Sequence, residues 1–208
     1  LVGSEMCIRD SFQSLHDWQV EILKLPAIDP DTTSVVIAGA PNVGKSSLLR
    51  RLSRAKPEVK PYPFTTKSII VGHMEFSSLN IQLIDTPGLL DRPLHERNPI
   101  ELRAISAIRH LKGLIVFLFD PTGTCGYPLE HQLNIYQGIR DLLGGKPVIP
   151  VSNKVDITLP EQARRLVRNL GGDARRLVFI SALTGLGVDF LLDSMREVLG
   201  DILIHKTQ

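Results

Sequence analysis

The residues best equipped for chemistry are Gly39-Ala40-Pro41-Asn42-Val43-Gly44-Lys45-Ser46-Ser47. An apolar, β-branched run, Val35-Val36-Ile37-Ala38, precedes them, and Leu48-Leu49-Arg50-Arg51-Leu52 follows as a helix would. Strand, loop, helix is the setting that a phosphate-binding loop requires. Gly39 and Gly44 carry no Cβ, so the backbone can turn its N–H groups toward phosphate oxygens. The helix N-terminus behind them adds partial positive charge. Lys45 is the side chain for the β- and γ-phosphates, and the Ser46 hydroxyl is a ligand for Mg²⁺. The stretch from Pro41 to Ser47 is therefore expected to line a nucleoside triphosphate.

Further clusters lie downstream in a fixed order. Asp85-Thr86-Pro87-Gly88 closes the apolar run Ile81-Gln82-Leu83-Ile84. A carboxylate at a strand's end, Asp85, suits the metal and its waters, and the Gly88 N–H suits the γ-phosphate. Asn153-Lys154-Val155-Asp156 follows Val148-Ile149-Pro150-Val151-Ser152. The Asp156 carboxylate can accept from both the ring N–H and the exocyclic amine of guanine, a donor pair that adenine does not offer. Asn153 is expected to tie this loop to the phosphate loop, and the Lys154 stem to lie along the base. Ser181-Ala182-Leu183, after a last apolar run, is placed to offer a backbone N–H to the guanine carbonyl. Between the phosphate loop and Asp85 lies Pro61-Tyr62-Pro63-Phe64-Thr65-Thr66-Lys67. A threonine there, Thr66 in preference to Thr65, can bind Mg²⁺ through its hydroxyl and the γ-phosphate through its N–H, so that loss of phosphate frees the loop. The set points to GTP and GDP with Mg²⁺.

These clusters need a scaffold, and the apolar periodicity supplies one. Strands are expected over 34–38, 67–76, 81–85, 114–120, 148–152 and 177–180, with helices over 45–53, 99–110, 129–142, 160–170 and 188–199. Continuous apolar strands separated by helices make an α/β fold: a P-loop NTPase G domain with a mainly parallel six-stranded sheet covered on both faces. Residues 67–76 and 81–85, joined by Ser77-Ser78-Leu79-Asn80, read instead as an antiparallel hairpin. Upstream, Phe12, Leu15, Trp18, Ile22 and Leu25 form a helical stripe ended by Pro26 and Pro30. Residues 1–11 begin without Met and resemble translated adapter sequence, so they are set aside. The expected organisation is 1–11 non-native, 12–30 the remnant of an N-terminal helical domain, and 31–208 the G domain.

Composition adds boundaries. The 43% hydrophobic and 22% charged residues suit a globular chain, and a net charge of +2 does not by itself argue for nucleic acid. No apolar run approaches the roughly 18 residues of a membrane span, so no membrane partner is expected. Two cysteines, Cys7 and Cys125, without paired spacing suit a reducing compartment; a cytoplasmic monomer is expected. The runs Arg164, Arg165, Arg168, Arg175, Arg176 and Arg50, Arg51, Arg54, Lys56 read mainly as helix faces and C-terminal dipole partners.

The phosphate loop, Tyr62-Pro63-Phe64-Thr65-Thr66-Lys67 and Asp85-Thr86-Pro87-Gly88 resemble the Obg-related translation-factor GTPases. Val71-Gly72-His73-Met74, the run from Gly88-Leu89-Leu90-Asp91-Arg92-Pro93-Leu94 to Glu96-Arg97-Asn98-Pro99-Ile100-Glu101, and Asp120 leading through Cys125-Gly126-Tyr127 to Gln132 narrow the resemblance. Together they are similar to the nucleolar GTP-binding protein (Nog) family in an archaeal-like form. The resemblance implies a G domain preceded by a helical bundle, and a GTP-hydrolysing switch that assembles the precursor of the large ribosomal subunit, its RNA and its proteins. Leu89 stands where Ras-like enzymes carry a water-orienting Gln, so slow intrinsic hydrolysis is expected. Asn42 matches related GTPases in which this residue helps hold K⁺ near the phosphates. Lys45, Thr66, Gly88 and Asn42 are accordingly the expected catalytic set. The alternatives are a GTP-holding scaffold with negligible hydrolysis, or another Obg-like translation-associated GTPase.

Overall fold

The computed structural model describes residues 28–61, 68–76, 79–88, 90–91, 105 and 108–204. The strands are β1 (Thr33–Ala38), β2 (Glu58–Pro61), β3 (Ser68–Phe76), β4 (Leu79–Asp85), β5 (Gly113–Phe119), β6 (Val148–Ser152) and β7 (Val178–Phe179). The helices are α1 (Lys45–Leu52), α2 (Leu129–Leu142), α3 (Pro160–Leu170), a 3₁₀ turn at Gly171–Arg176, and α4 (Val188–Ile204). Two helices start and end where periodicity put them, over 129–142 and 160–170. Of the helix expected over 99–110, residues 105 and 108–110 are described and are helical.

The strands form one sheet in the order β2-β3-β4-β1-β5-β6-β7. β1 lies parallel between β4 and β5, and β6 and β7 extend the parallel part. The hairpin expectation holds: β3 is antiparallel to β4, with Ile70 opposite Asp85 and Phe76 opposite Leu79. β5, Gly-Leu-Ile-Val-Phe-Leu-Phe, is buried along its whole length, as a central parallel strand covered on both faces must be. Phe117 and Phe119, two residues apart on this strand, share one face of the sheet. Their rings lie 4.7 Å apart and meet Tyr136 of α2 at 5.1 and 5.3 Å, which seats that helix on the sheet.

The sheet has seven strands among the described residues, not six. The added strand, β2, is an edge that pairs with β3 alone. Its sequence, Glu-Val-Lys-Pro, lacks an apolar run, and Val59 is exposed. An edge strand need bury neither face fully and tolerates a proline without its N–H, so its pattern is weak. The N-terminal stripe of residues 12–25 and the segment 1–11 lie outside the described residues. Among the described residues no helix is long and apolar enough to cross a membrane.

Candidate nucleotide-binding site

Every described motif singled out above for the nucleotide sits at the carboxyl end of a strand, on the same edge of the sheet. The phosphate loop follows β1, Asp85 ends β4, Asp120 follows β5, Asn153 follows β6, and Ser181 comes soon after β7. The chain leaves β1 toward β4 on one side and returns to β5 on the other, which opens a crevice there.

Local geometry explains the glycines. Gly39 has φ 139°, and a Cβ there would lie 2.5 Å from the Leu118 carbonyl oxygen. Gly44 has φ 104°, and a Cβ would lie 2.3 Å from Asn153 Nδ2. Asn42 takes a left-handed φ of 60°, which asparagine tolerates better than most residues. α1 begins directly after Gly44 with no side-chain cap and no acidic residue in its first turn. Its first N–H groups are therefore available to an anion.

Lys45 folds back over this loop: its Nζ donates to the Gly39 carbonyl at 2.9 Å and to the Ala40 carbonyl at 2.8 Å. An ammonium has three N–H groups, so one is left for a phosphate. Burial pulls the Lys45 amine below its usual range, opposed by the charges of Asp85 and Asp91. Ser46 Oγ donates to Asp85 Oδ2 at 2.7 Å. The other oxygen, Asp85 Oδ1, is buried without a hydrogen-bond partner among the described residues, and so is Thr86 Oγ1. Burial pushes the Asp85 carboxyl above the usual range, with the Ser46 hydrogen bond and the Lys45 charge acting against it. Hard oxygen donors with an unpartnered carboxylate oxygen fit Mg²⁺. Lys45, Ser46 and Asp85, with Asn42 and Pro87, line a cleft of about 450 Å³.

The Gly88 N–H, expected for a γ-phosphate, donates to Asp91 Oδ2 at 2.7 Å. Asp91 is buried and lines the same cleft. Sequence reasoning passed over it as part of a longer motif, although a carboxylate three residues beyond Gly88 was a visible signal. Thr65, Thr66 and Leu89 lie outside the described residues.

On the other side of the crevice, Asn153 makes the connection expected of it. Its Nδ2 donates to the Val43 carbonyl at 2.7 Å, and its Oδ1 accepts from the Ala182 N–H at 2.8 Å. Of the three N–H groups of Ser181-Ala182-Leu183, the first goes to the Leu186 carbonyl and the second to Asn153. Leu183 keeps the one without a partner among the described residues. Arg51 of α1 clamps the same turn, donating through Nε to the Ala182 carbonyl at 2.7 Å and through Nη2 to the Leu183 carbonyl. Nothing in the basic run around Arg51 signalled that role. Asp156 is exposed and has no protein partner among the described residues.

Lys154, at a left-handed φ of 64°, reaches Asp120 Oδ2 at 2.6 Å and Thr124 Oγ1 at 2.8 Å. Asp120 is buried and also accepts from the Thr122 and Cys125 N–H groups at 2.9 and 2.8 Å. Burial would raise its carboxyl, but the hydrogen bonds of Lys154, Thr122 and Thr124 and the charge of Lys154 hold it below the usual range. Gln132 of α2 fixes the same corner, accepting from the Asp120 N–H at 2.8 Å and donating to its carbonyl at 2.9 Å. Cys125 is buried beside it, and burial pushes its thiol up, away from reactive thiolate character.

Known proteins resemble this chain in sequence and in fold. The family model for nucleolar GTP-binding protein 1 matches residues 99–156. The chain is 41% identical over 189 residues to the nucleolar GTP-binding protein 1 of Caenorhabditis elegans, covering 89% of this chain and 28% of that one. It is 44% identical over 154 residues to the Saccharomyces cerevisiae protein of the same name, covering 74% and 24%. The chain thus spans under a third of these relatives' length. A crystal structure of a Plasmodium falciparum nucleolar GTP-binding protein 1 matches at a TM-score of 0.75 and 31% identity, over 87% of this chain and 93% of that one. The G domain of the Thermotoga maritima FeoB iron transporter matches at 0.61 and 26% identity, over 80% and 98%. With its phosphate loop, buried Asp85 and Asn153 joint in place, the chain is a G domain and belongs to the nucleolar GTP-binding protein 1 family.

Proposed function

We propose that this chain binds Mg²⁺-GTP, hydrolyses it slowly, and acts as a switch in assembly of the large ribosomal subunit. The observation that carries the nucleotide part is the Asn153 joint, which binds Val43 and Ala182 at once and so holds three loops around one crevice. The α1 N-terminus and Lys45 supply the positive field for phosphates. Asp156, exposed and unpartnered among the described residues, is the acceptor for guanine, and the Leu183 N–H is the remaining donor for its carbonyl. Ser46, Asp85 and Thr66 would hold Mg²⁺, which neutralises charge on the β- and γ-phosphates when bound. Asn42, exposed at the mouth of the phosphate loop, would hold K⁺. Leu89 offers no group to orient water, which favours slow turnover.

The partner part rests on kinship. The relatives are named nucleolar, which sets the nucleolus beside the cytoplasmic compartment suggested by cysteine usage; an assembly factor follows its particle. The switch would work through the γ-phosphate, which must take the Gly88 N–H from Asp91 and order the Thr66 loop. Full-length protein should therefore co-sediment with large-subunit precursors more tightly in a non-hydrolysable GTP analogue than in GDP, by about 5–150-fold. Equal binding in both nucleotides would overturn the switch and leave a scaffold.

A further inference from the structure

Two sets of arginines outside the nucleotide site, close in sequence, differ in what the fold places beside them. Arg164 and Arg168 pair with Glu161, and Arg165 pairs with Glu130. Arg175 and Arg176, which end the 3₁₀ turn, are exposed and have no ion pair or hydrogen-bond partner for their side chains among the described residues. They lead into β7 at its amino end, the edge of the sheet opposite the nucleotide loops.

Two clefts flank this pair, one of about 480 Å³ and one of about 260 Å³. The larger is walled by Arg140, Lys146, Asp173 and the two arginines. Asp173 is the one carboxylate on that wall among the described residues, and it already accepts from the Arg140 guanidinium and from the Tyr136 hydroxyl. Both bonds fall on Oδ2, and among the described residues Asp173 forms no ion pair with Arg175 or Arg176. Glu197 lines the smaller cleft, and among the described residues it forms no ion pair with either arginine. Lys146, just before β6, adds a further positive charge to the wall of the larger cleft. Gly145 and Gly172 have no heavy atom within 4 Å of where a Cβ would stand, which leaves the walls open to a bulky ligand.

We infer that this arginine-lined cleft binds the phosphodiester backbone of RNA, on the edge of the sheet opposite the GTP site. An acidic protein is the competing ligand, but protein interfaces draw on exposed aromatic and aliphatic anchors. None of the exposed large apolar side chains lines the larger cleft. Tyr136 is buried and offers no face for a base to stack on. Guanidinium forks on open walls recognise phosphates without reading bases, so binding is independent of RNA sequence and strongly dependent on salt. The inference rests on the assembly reading only for the natural source of the RNA.

The test uses the whole chain with GDP and a fluorescein-labelled RNA hairpin of about 20 nucleotides, titrated by anisotropy at about 50 to 200 mM salt. Arg175→Glu/Arg176→Glu should weaken binding at least about tenfold. The same variant should flatten the slope of log affinity against log salt by about 1.4 to 1.8, the share of two phosphates no longer neutralised. Arg175→Ala/Arg176→Ala should move both in the same direction by less. Arg164→Ala/Arg168→Ala should change neither. Unchanged affinity and slope in the Arg175/Arg176 variants would overturn the cleft. Labelled poly-glutamate that binds as tightly as RNA, and is released by the same variants, would overturn RNA in favour of an acidic protein. GDP titration runs alongside: intact GDP binding in the variants shows that they fold. Failure of the wild-type chain to bind GDP while it binds RNA would sink the nucleotide reading and leave this one standing.

Discussion

Replacing Asn153 by alanine should expose how much of this domain depends on one side chain. Asn153 is 3% exposed and makes two hydrogen bonds of 2.7 and 2.8 Å, to Val43 and to Ala182. Each is worth about 1 kcal/mol net, and losing them leaves a carbonyl and an N–H buried without partners, at about 1–3 kcal/mol each. Water entering from the nucleotide crevice offsets part of that, so the total should be about 2–4 kcal/mol, or about 30- to 900-fold as an equilibrium ratio. The loss will divide between stability and nucleotide affinity, because GDP can rebuild part of the joint. Urea unfolding without nucleotide measures the first share and calorimetric GDP titration the second. The urea m-value should stay unchanged, since the same surface is exposed on unfolding. A cycle with Gly44→Ala adds a sharper readout. A Cβ at residue 44 would lie 2.3 Å from Asn153 Nδ2, so this substitution should cost at least about 1 kcal/mol less once Asn153 is gone. The strain of φ 104° remains in both backgrounds. A summed loss below about 0.5 kcal/mol, with no coupling to residue 44, would refute the joint.

Asp156→Asn should lower GTP affinity by about 3 kcal/mol or more, about a hundredfold or beyond, because an acceptor facing a guanine donor becomes in part a donor. Equal GTP affinity by calorimetry would move base recognition elsewhere. GTP hydrolysis should run faster in K⁺ than in Na⁺ at matched ionic strength, and Asn42→Ala should erase the difference; a salt effect that survives the substitution would assign the ion to another ligand. The Asp120 carboxyl is held below its usual value of 3.8, so the stability it contributes is present above that pH and is lost as pH falls through its folded value. Urea unfolding of wild type and Asp120→Asn between about pH 6 and pH 3 should show the smaller acid loss in the variant, and parallel curves would contradict the assignment.

Much of this protein was legible because its strongest features are local. Val35 to Ala38 and β5 are unbroken apolar runs, and a run buried on both faces has no polar alternative, so their place at the sheet centre follows from composition. Gly39 and Gly44 mark a loop that only glycine can build, and helix α3 starts on a proline, so its first residue was visible too. The four motifs and their order followed from residue types at strand ends.

Tertiary structure decided what separate stretches do to one another. Asn153 meets a carbonyl 110 residues away and an N–H 29 residues away. Arg51 reaches the Ala182 carbonyl across 131 residues. A side chain's partner at such separation is set by sheet order and strand register, which periodicity does not encode. The same holds for β2, an edge that owes its existence to pairing with β3 and not to its own apolar content. It holds for the arginines as well: in sequence Arg164, Arg165, Arg168, Arg175 and Arg176 form one basic run. The fold turns the first three toward carboxylates on α2 and α3 and carries the last two past the helix end, where no described carboxylate pairs with them. Charge is a property of the residue, but whether that charge is neutralised depends on what the fold places beside it.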